Sequence, residues 1–301
     1  MPVHSWLANP RETRVTLDRH GLQAKHRLGQ NFLVNDAVIG KILDLAELRD
    51  DDVVLEVGPG IGTLTVALLP HAGAVVAVEA DRSLEPVLAE TCARDSERFA
   101  LVMGDALRVS PAQLVDAAQA LQIEGLDPEP TKLVSNLPYQ VAATVVLRTF
   151  EQMPSVGRVV VMVQAEVADR MAATTGTKAY GAYTAKLSLY ANVTGRFEVG
   201  PGNFMPPPHV DSAVIRLDRA PATDPATGAV LDTEQIGWCC EVIDAAFAQR
   251  RKTIRNSMSS NGFDRDELDA AYEATGIDGR TRAEALAPAD FVRLAGALGW
   301  R

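Results

Sequence analysis

Three glycines at alternate positions directly follow a short apolar run, and this stretch constrains the fold more than any other. The run Val53–Val57 is β-branched and aliphatic, and Gly58, Gly60 and Gly62 come next. The pattern predicts a strand, a tight turn and a helix. Glycine suits such a turn because the backbone takes positive φ and a ligand can lie against it without Cβ atoms in the way, facing helix N–H groups. We expect a nucleotide-like cofactor here, unless the loop is only a tight connection between strand and helix.

The spacing of the glycines indicates which cofactor this is. A dinucleotide fingerprint has the form Gly-x-Gly-x-x-Gly, whereas here the third glycine comes one residue early and Thr63 stands where that motif has its last glycine. The form Gly-x-Gly-x-Gly, with Glu56 just before it, is more typical of proteins that bind S-adenosylmethionine (SAM). The spacing therefore favours SAM over a dinucleotide.

Further apolar runs alternate with stretches of helical character. They are Ala74–Val78, Phe99–Met103, Leu133–Ser135 and Val159–Val163, with Phe197–Val199 and Ser212–Leu217 as closing strands. This alternation predicts an α/β fold, a doubly wound and mostly parallel sheet with helices on both faces. Beyond a linker-like segment at 220–230 the pattern is wholly helical. We therefore expect a SAM-binding domain over residues 1–220, which includes an N-terminal helical segment, and a small all-helical domain over 221–301.

The net charge of −10 argues at first sight against a nucleic-acid partner, because phosphate contacts need lysine and arginine. Charge is segregated, however. Asp50–Asp52 make an acidic corner, whereas Arg11–Arg27 are rich in cations. A capping box at Asp232 opens one apolar helical stripe that continues to Met258. The cations of this part are Arg250, Arg251, Lys252 and Arg255, and the last three fall on one flank of the helical wheel. The chain can therefore present a basic face.

Cysteine usage and hydropathy bear on the compartment. The three cysteines show no Cys-x-x-Cys spacing, which predicts no structural zinc and a reducing compartment. The first thirty residues lack an apolar core, and no run approaches about 18 apolar residues. These features predict a cytoplasmic protein without a membrane partner.

Polar residues stand at the ends of successive predicted strands, where a cofactor is expected. Glu79 ends the second strand, about 20 residues after the glycine loop, where a carboxylate can accept both ribose hydroxyls. Asp105 follows the third strand and is placed to accept from an adenine amino group, and Asn136 closes the fourth. Each could separately be a helix cap or a solvated side chain. All three in register with the glycine loop favour one site.

The fourth strand ends in Ser135-Asn136-Leu137-Pro138-Tyr139, which predicts chemistry on an exocyclic amine. Such a nitrogen is a poor nucleophile because its lone pair is delocalised into the ring. Two acceptors can hold it in a more tetrahedral arrangement: the Asn136 side-chain oxygen and the carbonyl of Leu137 or Pro138. Pro138 fixes the turn that aims the carbonyl, and Tyr139 offers a stacking face to a flipped base. The alternative is a plain β-turn.

These motifs together resemble the KsgA/RsmA family of ribosomal RNA adenine dimethyltransferases. The resemblance rests on Leu28–Leu33, the glycine loop, Glu79, Gly104-Asp105, Asn136–Tyr139, Phe204–Ser212 and Gln249–Asn256, in the family's order. It implies a class I SAM-dependent methyltransferase domain, Rossmann-like, followed by a helical domain that binds rRNA. The implied reaction is N6,N6-dimethylation of two adjacent adenosines near the 3′ end of 16S rRNA in the immature 30S subunit, leaving S-adenosylhomocysteine, with a role in small-subunit biogenesis. We also expect a monomer.

The resemblance implies roles residue by residue. Asn31 and Leu33 would close the N-terminal segment over the cofactor, and Gly58 and Gly60 would contact it. Glu79 would hold the ribose, Asp105 the adenine, and Asn136 both cofactor and target. Phe204 would pack on the target base opposite Tyr139, unless it is a core aromatic. The residues expected to grip rRNA phosphates are Arg250, Arg251, Lys252 and Arg255.

The chain departs from the family in its acidity and in about ten extra residues around Gln122–Thr131, which we expect to form a surface loop. The acidity bears on the strength of unassisted RNA binding. Three other interpretations stay open at this point. They are an Erm-type enzyme that methylates a 23S rRNA adenine, a ribosome-assembly factor whose binding matters more than catalysis, and a nicotinamide dehydrogenase.

Overall fold

The structure of the protein is a computed structural model, and it describes residues 3–23 and 30–300. The strands are β1 (Phe32–Leu33), β2 (Val53–Val57), β3 (Ala74–Glu79), β4 (Phe99–Met103), β5 (Lys132–Asn136), β6 (Arg158–Gln164), β7 (Ala191–Val199), β8 (Phe204–Met205) and β9 (Ser212–Arg219). The helices are α1 (Pro10–Arg19), α2 (Asp36–Ala46), α3 (Thr65–Leu68), α4 (Glu85–Thr91), α5 (Pro111–Gln119), α6 (Ala142–Gln152), α7 (Ala165–Met171), α8 (Ala182–Leu187), α9 (Thr233–Phe247), α10 (Ile254–Ser259), α11 (Arg265–Thr275) and α12 (Pro288–Ala297).

The main sheet has seven strands in the order β4-β3-β2-β5-β6-β9-β7. Strands β4, β3, β2, β5 and β6 are parallel, and β9 enters antiparallel to β6. This arrangement confirms the predicted α/β, doubly wound and mostly parallel fold. The strand order reverses between β2 and β5, the place where ligands bind in such sheets.

The central strands of the main sheet lie in a hydrophobic core that they share with α2 and α3. Every residue of β2 and β3 is buried, as expected for parallel strands that are covered by helices on both faces. A buried carboxyl therefore stands out in them. Glu56 in β2 and Glu79 in β3 are 1% and 7% exposed, and each lies near the carboxyl end of its strand.

The chain forms two compact units. The first contains residues 1–168 and 193–218, and the second contains 169–192 and 219–301. The division expected from the sequence lies at residue 220 instead. The difference arises because Tyr180, Ala185 and Leu189 share an apolar cluster with α9 and α12. The assignment of the C-terminal part as an rRNA-binding domain stays a prediction.

One prediction for the C-terminal part is wrong, namely the continuous helical stripe. The stripe from Ile236 to Met258 is not a single helix: α9 ends at Phe247, and α10 begins at Ile254 after a turn. The backbone N–H of Gln249 donates to Oγ of Ser257 in that turn. The periodicity continues across it because both helices contribute residues to the same core. The predicted capping box is confirmed, since Asp232 Oδ1 accepts from the backbone N–H of Gln235 at 2.9 Å and the Gln235 side chain accepts from that of Asp232 at 3.0 Å.

The acidic corner also differs from expectation at one residue. Asp52 is buried and its carboxylate lies 2.7 Å from Nζ of Lys132, while Oγ1 of Thr131 donates to it as well. Only Asp50 and Asp51 are exposed in this corner. The extra segment around Gln122–Thr131 connects α5 to β5 without helix or strand, as predicted for a loop.

The N-terminal segment packs against the glycine loop. Leu7 and Leu17 share an apolar cluster with Ile61 of that loop and with Phe32. The backbone N–H groups of His4 and Ser5 donate to the carboxylate of Asp36, which begins α2. Helix α1 is thereby tied to the wall of the predicted cofactor site. Within the described ranges, no helix is long and apolar enough to cross a membrane.

Candidate active site

The glycine loop has the backbone conformation that its residues predict. Gly58, Gly60 and Gly62 have φ of +73°, +61° and +86°, a region that side chains disfavour. A Cβ on Gly60 would lie 3.1 Å from the ring of Phe32, and one on Gly58 would lie 3.1 Å from Pro138. The helix predicted after the loop is present but short: turns occupy 60–64, and α3 has four residues.

A cavity opens beside this loop, at the carboxyl ends of β2, β3, β4 and β5. Its wall brings together most of the predicted site residues, which are Asn31, Leu33, Gly58, Gly60, Glu79, Asp105, Asn136, Pro138 and Tyr139. The wall also carries Glu56 and Thr63. Among the residues that the structure describes, three carboxyl groups and no lysine, arginine or histidine line the cavity. Such a wall suits a cation and disfavours a ligand with several phosphates.

Glu79 is held by the backbone around it. Its Oε1 accepts from the N–H of Asp81 at 2.8 Å, and its Oε2 accepts from the N–H of Gly60 at 3.3 Å. Burial raises the pKa of this carboxyl, and hydrogen bonds from the backbone of Asp81, Gly60 and Ala80 partly oppose that rise. The bond to Gly60 ties the end of β3 to the glycine loop. A carboxylate has about four acceptor positions, so Glu79 can still accept from a ligand beside these backbone donors.

Asp105 lies at the open side of the cavity. Its side chain is 54% exposed, and Oδ1 accepts from the backbone N–H of Leu107 at 2.9 Å. This Asx turn fixes the carboxylate just after β4. Asp105 lines the cavity, and Nε of Arg108 lies 3.8 Å from its Oδ2. The exposed carboxylate is compatible with the predicted contact to an adenine amino group.

Asn136 connects β5 to the N-terminal segment. Its Nδ2 donates to the backbone carbonyl of Asn31 at 3.3 Å. Because the amide nitrogen has this acceptor, Oδ1 is left as the acceptor that the proposed chemistry requires. The segment that carries Asn31 is fixed further along by antiparallel pairing of β1 with β8, which places Phe32 opposite Met205.

Tyr139 is fixed at its hydroxyl. The hydroxyl lies 2.7 Å from Oγ of Ser212 at the start of β9, and the ring is partly buried. Burial raises the pKa of this phenol. Pro138 precedes it and packs against Gly58. The turn after β5 is thus attached to the glycine loop on one side and to β9 on the other.

Phe204 is not placed as the sequence suggested. It is 4% exposed, pairs with Leu33 across β1 and β8, and belongs to the apolar core with Val38. Stacking on a target base requires an accessible ring face, which Phe204 does not have in this structure. The core-aromatic alternative describes its position, and the pairing of β8 with β1 is the physical reason.

Two residues of the cavity wall were used as spacing markers in the sequence but not assigned to the site. Thr63 has a buried hydroxyl without a hydrogen-bond partner in the described part of the chain. An unpaired buried hydroxyl costs about 1–3 kcal/mol, so a polar ligand that reaches it is favoured. Glu56 accepts from Oγ1 of Thr65 at 2.7 Å. Its position in a buried strand was the available signal, since a lone carboxyl there requires a reason.

The predicted rRNA-binding cations lie in the second unit and do not share one helix flank. Arg251 and Lys252 are exposed in the turn between α9 and α10, where the helical-wheel argument does not apply. Arg250 donates to the backbone carbonyl of Lys178 at 2.8 Å. Arg255 makes two hydrogen bonds to the carboxylate of Asp269, so its charge is compensated. Lys25 and Arg27 lie outside the described residues.

Comparison with known proteins identifies the family of this chain. The family model described as ribosomal RNA adenine dimethylase matches residues 21–298. A ribosomal RNA small subunit methyltransferase A of Thermobifida fusca (strain YX) is 42% identical over 293 residues, covering 96% of this chain and 95% of the relative. The protein of the same name from Corynebacterium glutamicum (strain R) is 38% identical over 301 residues, covering 99% and 97%.

Solved structures give the same fold. The 23S rRNA methyltransferase ErmE is similar with a TM-score of 0.65 and 25% identity, covering 89% of this chain and 99% of that one. A dimethyladenosine transferase from Plasmodium falciparum has a TM-score of 0.70 at 22% identity, covering 87% and 95%, and supports the fold. The sheet order, the carboxyl-lined cavity and these matches lead to one conclusion: the chain belongs to the ribosomal RNA adenine dimethylase family.

Proposed function

We propose that this chain uses SAM to dimethylate N6 of two adjacent adenosines near the 3′ end of 16S rRNA in the immature 30S subunit. The observation that carries the proposal is the composition of the cavity wall. Three carboxyl groups and the Asn136–Tyr139 turn meet there, and none of the described residues that line the cavity is a lysine, arginine or histidine. SAM carries a positive sulfonium and no phosphate, so it fits this wall. A nicotinamide dinucleotide would place its pyrophosphate among carboxylates.

The fit of the cofactor can be stated for the residues that would hold it. Glu79 would accept from the ribose hydroxyls, and Asp105 from the adenine amino group. The open hydroxyl of Thr63 adds a donor that no protein group uses in the described part of the chain. When bound, SAM supplies a methyl group that its positive sulfur makes electrophilic.

The protein's part in transfer is to position the target amine. Asn136 Oδ1 and the backbone carbonyl of Leu137 or Pro138 would accept its two hydrogens and favour a tetrahedral nitrogen. No strong base is required, since the proton leaves after the nitrogen has become cationic. Correct placement of two reactants can account for about 7–11 kcal/mol of a barrier. The rigid attachment of this turn to Gly58 and Ser212 supports that role.

The 30S subunit is favoured as substrate by the relatives' names, which specify the small subunit. Transfer of labelled methyl groups to unmodified 30S and to 50S particles tests this choice, with Asn136→Ala as the inactive control. Labelling of 30S particles at two adjacent adenosines is expected. Labelling of 50S particles alone would favour the Erm-type activity. If Asn136→Ala lacks methyl transfer but still restores growth to cells without the enzyme, the chain acts mainly as a ribosome-assembly factor. The monomeric state and the cytoplasmic location stay predictions.

A further inference from the structure

Glu56 is a buried carboxyl to which the proposed reaction assigns no role. It is 1% exposed, lies in the middle of the sheet in β2, and lines the cavity beside the glycine loop. Its Oε2 accepts from Oγ1 of Thr65 at 2.7 Å. Within residues 3–23 and 30–300, Glu56 has no positively charged partner. A buried carboxylate without such a partner is unfavourable and is uncommon outside functional sites.

The groups that face Glu56 from its neighbours are acidic or neutral. The charge of Glu79, on β3, disfavours ionisation of Glu56. The thiol of Cys92, at the end of α4, is also close enough to interact with Glu56. Asp105 is the third carboxyl of the same cavity. Burial, and then Glu79, raise the pKa of Glu56 to about 8, against the hydrogen bond from Thr65, which lowers it. Without a ligand, Glu56 is therefore mostly protonated at neutral pH.

The cofactor and its product differ by one methyl group and one positive charge, because the sulfonium becomes a neutral thioether on transfer. We propose that Glu56 is a specificity-determining residue that reads this charge, favouring the sulfonium cofactor in the cavity over the thioether product. This inference rests on the proposed function. A positive charge nearby favours the carboxylate form of Glu56, so binding of the cationic ligand is accompanied by release of its proton. The neutral product leaves the group protonated, and the cavity then binds it less tightly.

The proposal concerns charge, so it can be tested with ligands that differ in charge at one position. SAM carries a sulfonium, sinefungin carries an amine in place of the methylated sulfur, and S-adenosylhomocysteine is neutral there. We expect the affinity for SAM and sinefungin to rise up to about tenfold per pH unit between pH 5.5 and 7, where Glu56 must lose its proton. The affinity for S-adenosylhomocysteine should stay flat over this range. Titration calorimetry in buffers of different ionisation enthalpy should show close to one proton released with SAM and almost none with the product.

Glu56→Gln and Glu79→Gln are matched variants of the two buried carboxyls. Glu56→Gln keeps an acceptor for Thr65, so a merely structural role would be preserved. We expect it to abolish the proton release and to lower the preference for SAM over S-adenosylhomocysteine by at least tenfold. Glu79→Gln should weaken both ligands alike, since both contain the ribose, and keep the proton release.

The outcomes separate this inference from the proposed function. If the wild-type chain binds neither SAM nor S-adenosylhomocysteine, the proposed function fails. If it binds both with the same pH dependence, or if Glu56→Gln retains the preference and the proton release, the assignment of Glu56 is overturned while the methyltransferase proposal stands. Loss of proton release in Glu79→Gln alone would move the role to Glu79 and also overturn it.

Discussion

The hydroxyl of Tyr139 lies 2.7 Å from Oγ of Ser212, and Ser212 is completely buried. This bond attaches the turn after β5 to β9, which lies beyond β6 in the sheet. The tyrosine therefore has two separable features, a ring that can stack on a base and a hydroxyl that holds the ring in place. Substitutions can remove them one at a time.

We expect Tyr139→Phe to keep the ring and lose the attachment, which lowers methyl transfer by roughly fivefold, since one hydrogen bond contributes about 1 kcal/mol. Tyr139→Ala should lose a further 1–3 kcal/mol or so, the value of stacking on one base. Neither should change SAM affinity, measured by calorimetry. Ser212→Ala is the matched control, and the double variant with Tyr139→Phe should be no worse than either single one. Loss of cofactor binding in Tyr139→Phe would contradict the assignment of Tyr139 to the target base and indicate a contact with the cofactor.

Glu79 should determine how strongly S-adenosylhomocysteine stabilises the fold. We expect Glu79→Ala to remove most of the thermal shift given by the product, because the ribose hydroxyls lose a charged acceptor worth about 1.5–3 kcal/mol. Asp105→Ala, at a half-exposed carboxylate, should have a smaller effect. The measurement is the melting temperature with and without ligand. An undiminished shift in Glu79→Ala would contradict its assignment to the ribose.

Glu56 also makes fold stability depend on pH. Its pKa is raised from 4.5 to about 8 in the fold, so the folded protein holds this proton where the unfolded chain has lost it. The stability of the wild type is therefore unreduced below pH 4.5 and falls as the pH rises towards 8. Glu56→Gln has no such loss and should be more stable than the wild type at pH 8, by up to about 4 kcal/mol. Urea unfolding without ligand at pH 5 and pH 8 checks this, and an equal difference at both values would argue against a buried, protonated Glu56.

The exposed pair Arg251 and Lys252 provides the sharper test of the rRNA-binding prediction. We expect the double change to glutamine to weaken binding to 30S particles and to flatten its salt dependence, since each lost phosphate contact removes a counterion-release increment. Arg280→Gln with Arg293→Gln is the matched control, because these arginines are paired with Asp278 and Asp290. Unchanged binding across a salt series would assign rRNA binding to another part of the chain. SAM affinity should be the same in all variants.

Leu17 tests whether the N-terminal helix supports the cofactor loop. It packs in the cluster that contains Ile61, whereas Val15 on the same helix is 42% exposed. Leu17→Ala should destabilise the protein by about 2–3 kcal/mol and weaken SAM binding, because the cavity left behind loosens the contact with the loop. Val15→Ala should change stability by less than about 0.5 kcal/mol. Normal SAM affinity in a folded Leu17→Ala protein would separate the helix from the cofactor site.

The sequence predicted the sheet and the cavity wall well because both follow from local patterns. Buried parallel strands have continuous apolar sequences, and positive φ favours glycine, so β2 and Gly58 follow from the sequence alone. Features that depend on contacts distant in the chain could not. The burial of Phe204 follows from pairing with Leu33, and the compensation of Arg255 follows from Asp269 on another helix. The turn between α9 and α10 was hidden because two helices packed on one core keep a common period.

The interleaving of the two units has a consequence for how this chain is synthesised and cut. The polypeptide passes from the first unit to the second after residue 168, returns after 192 and leaves again after 218. A nascent chain released only to residue 168 therefore still lacks both β7 and β9, and β9 is the strand that pairs with β6. A fragment that starts at 221 would expose the apolar surface that Tyr180 and Leu189 cover, and we expect it to aggregate. An expression fragment of the helical part has to be assembled from two separate stretches of the gene, joined by a designed linker.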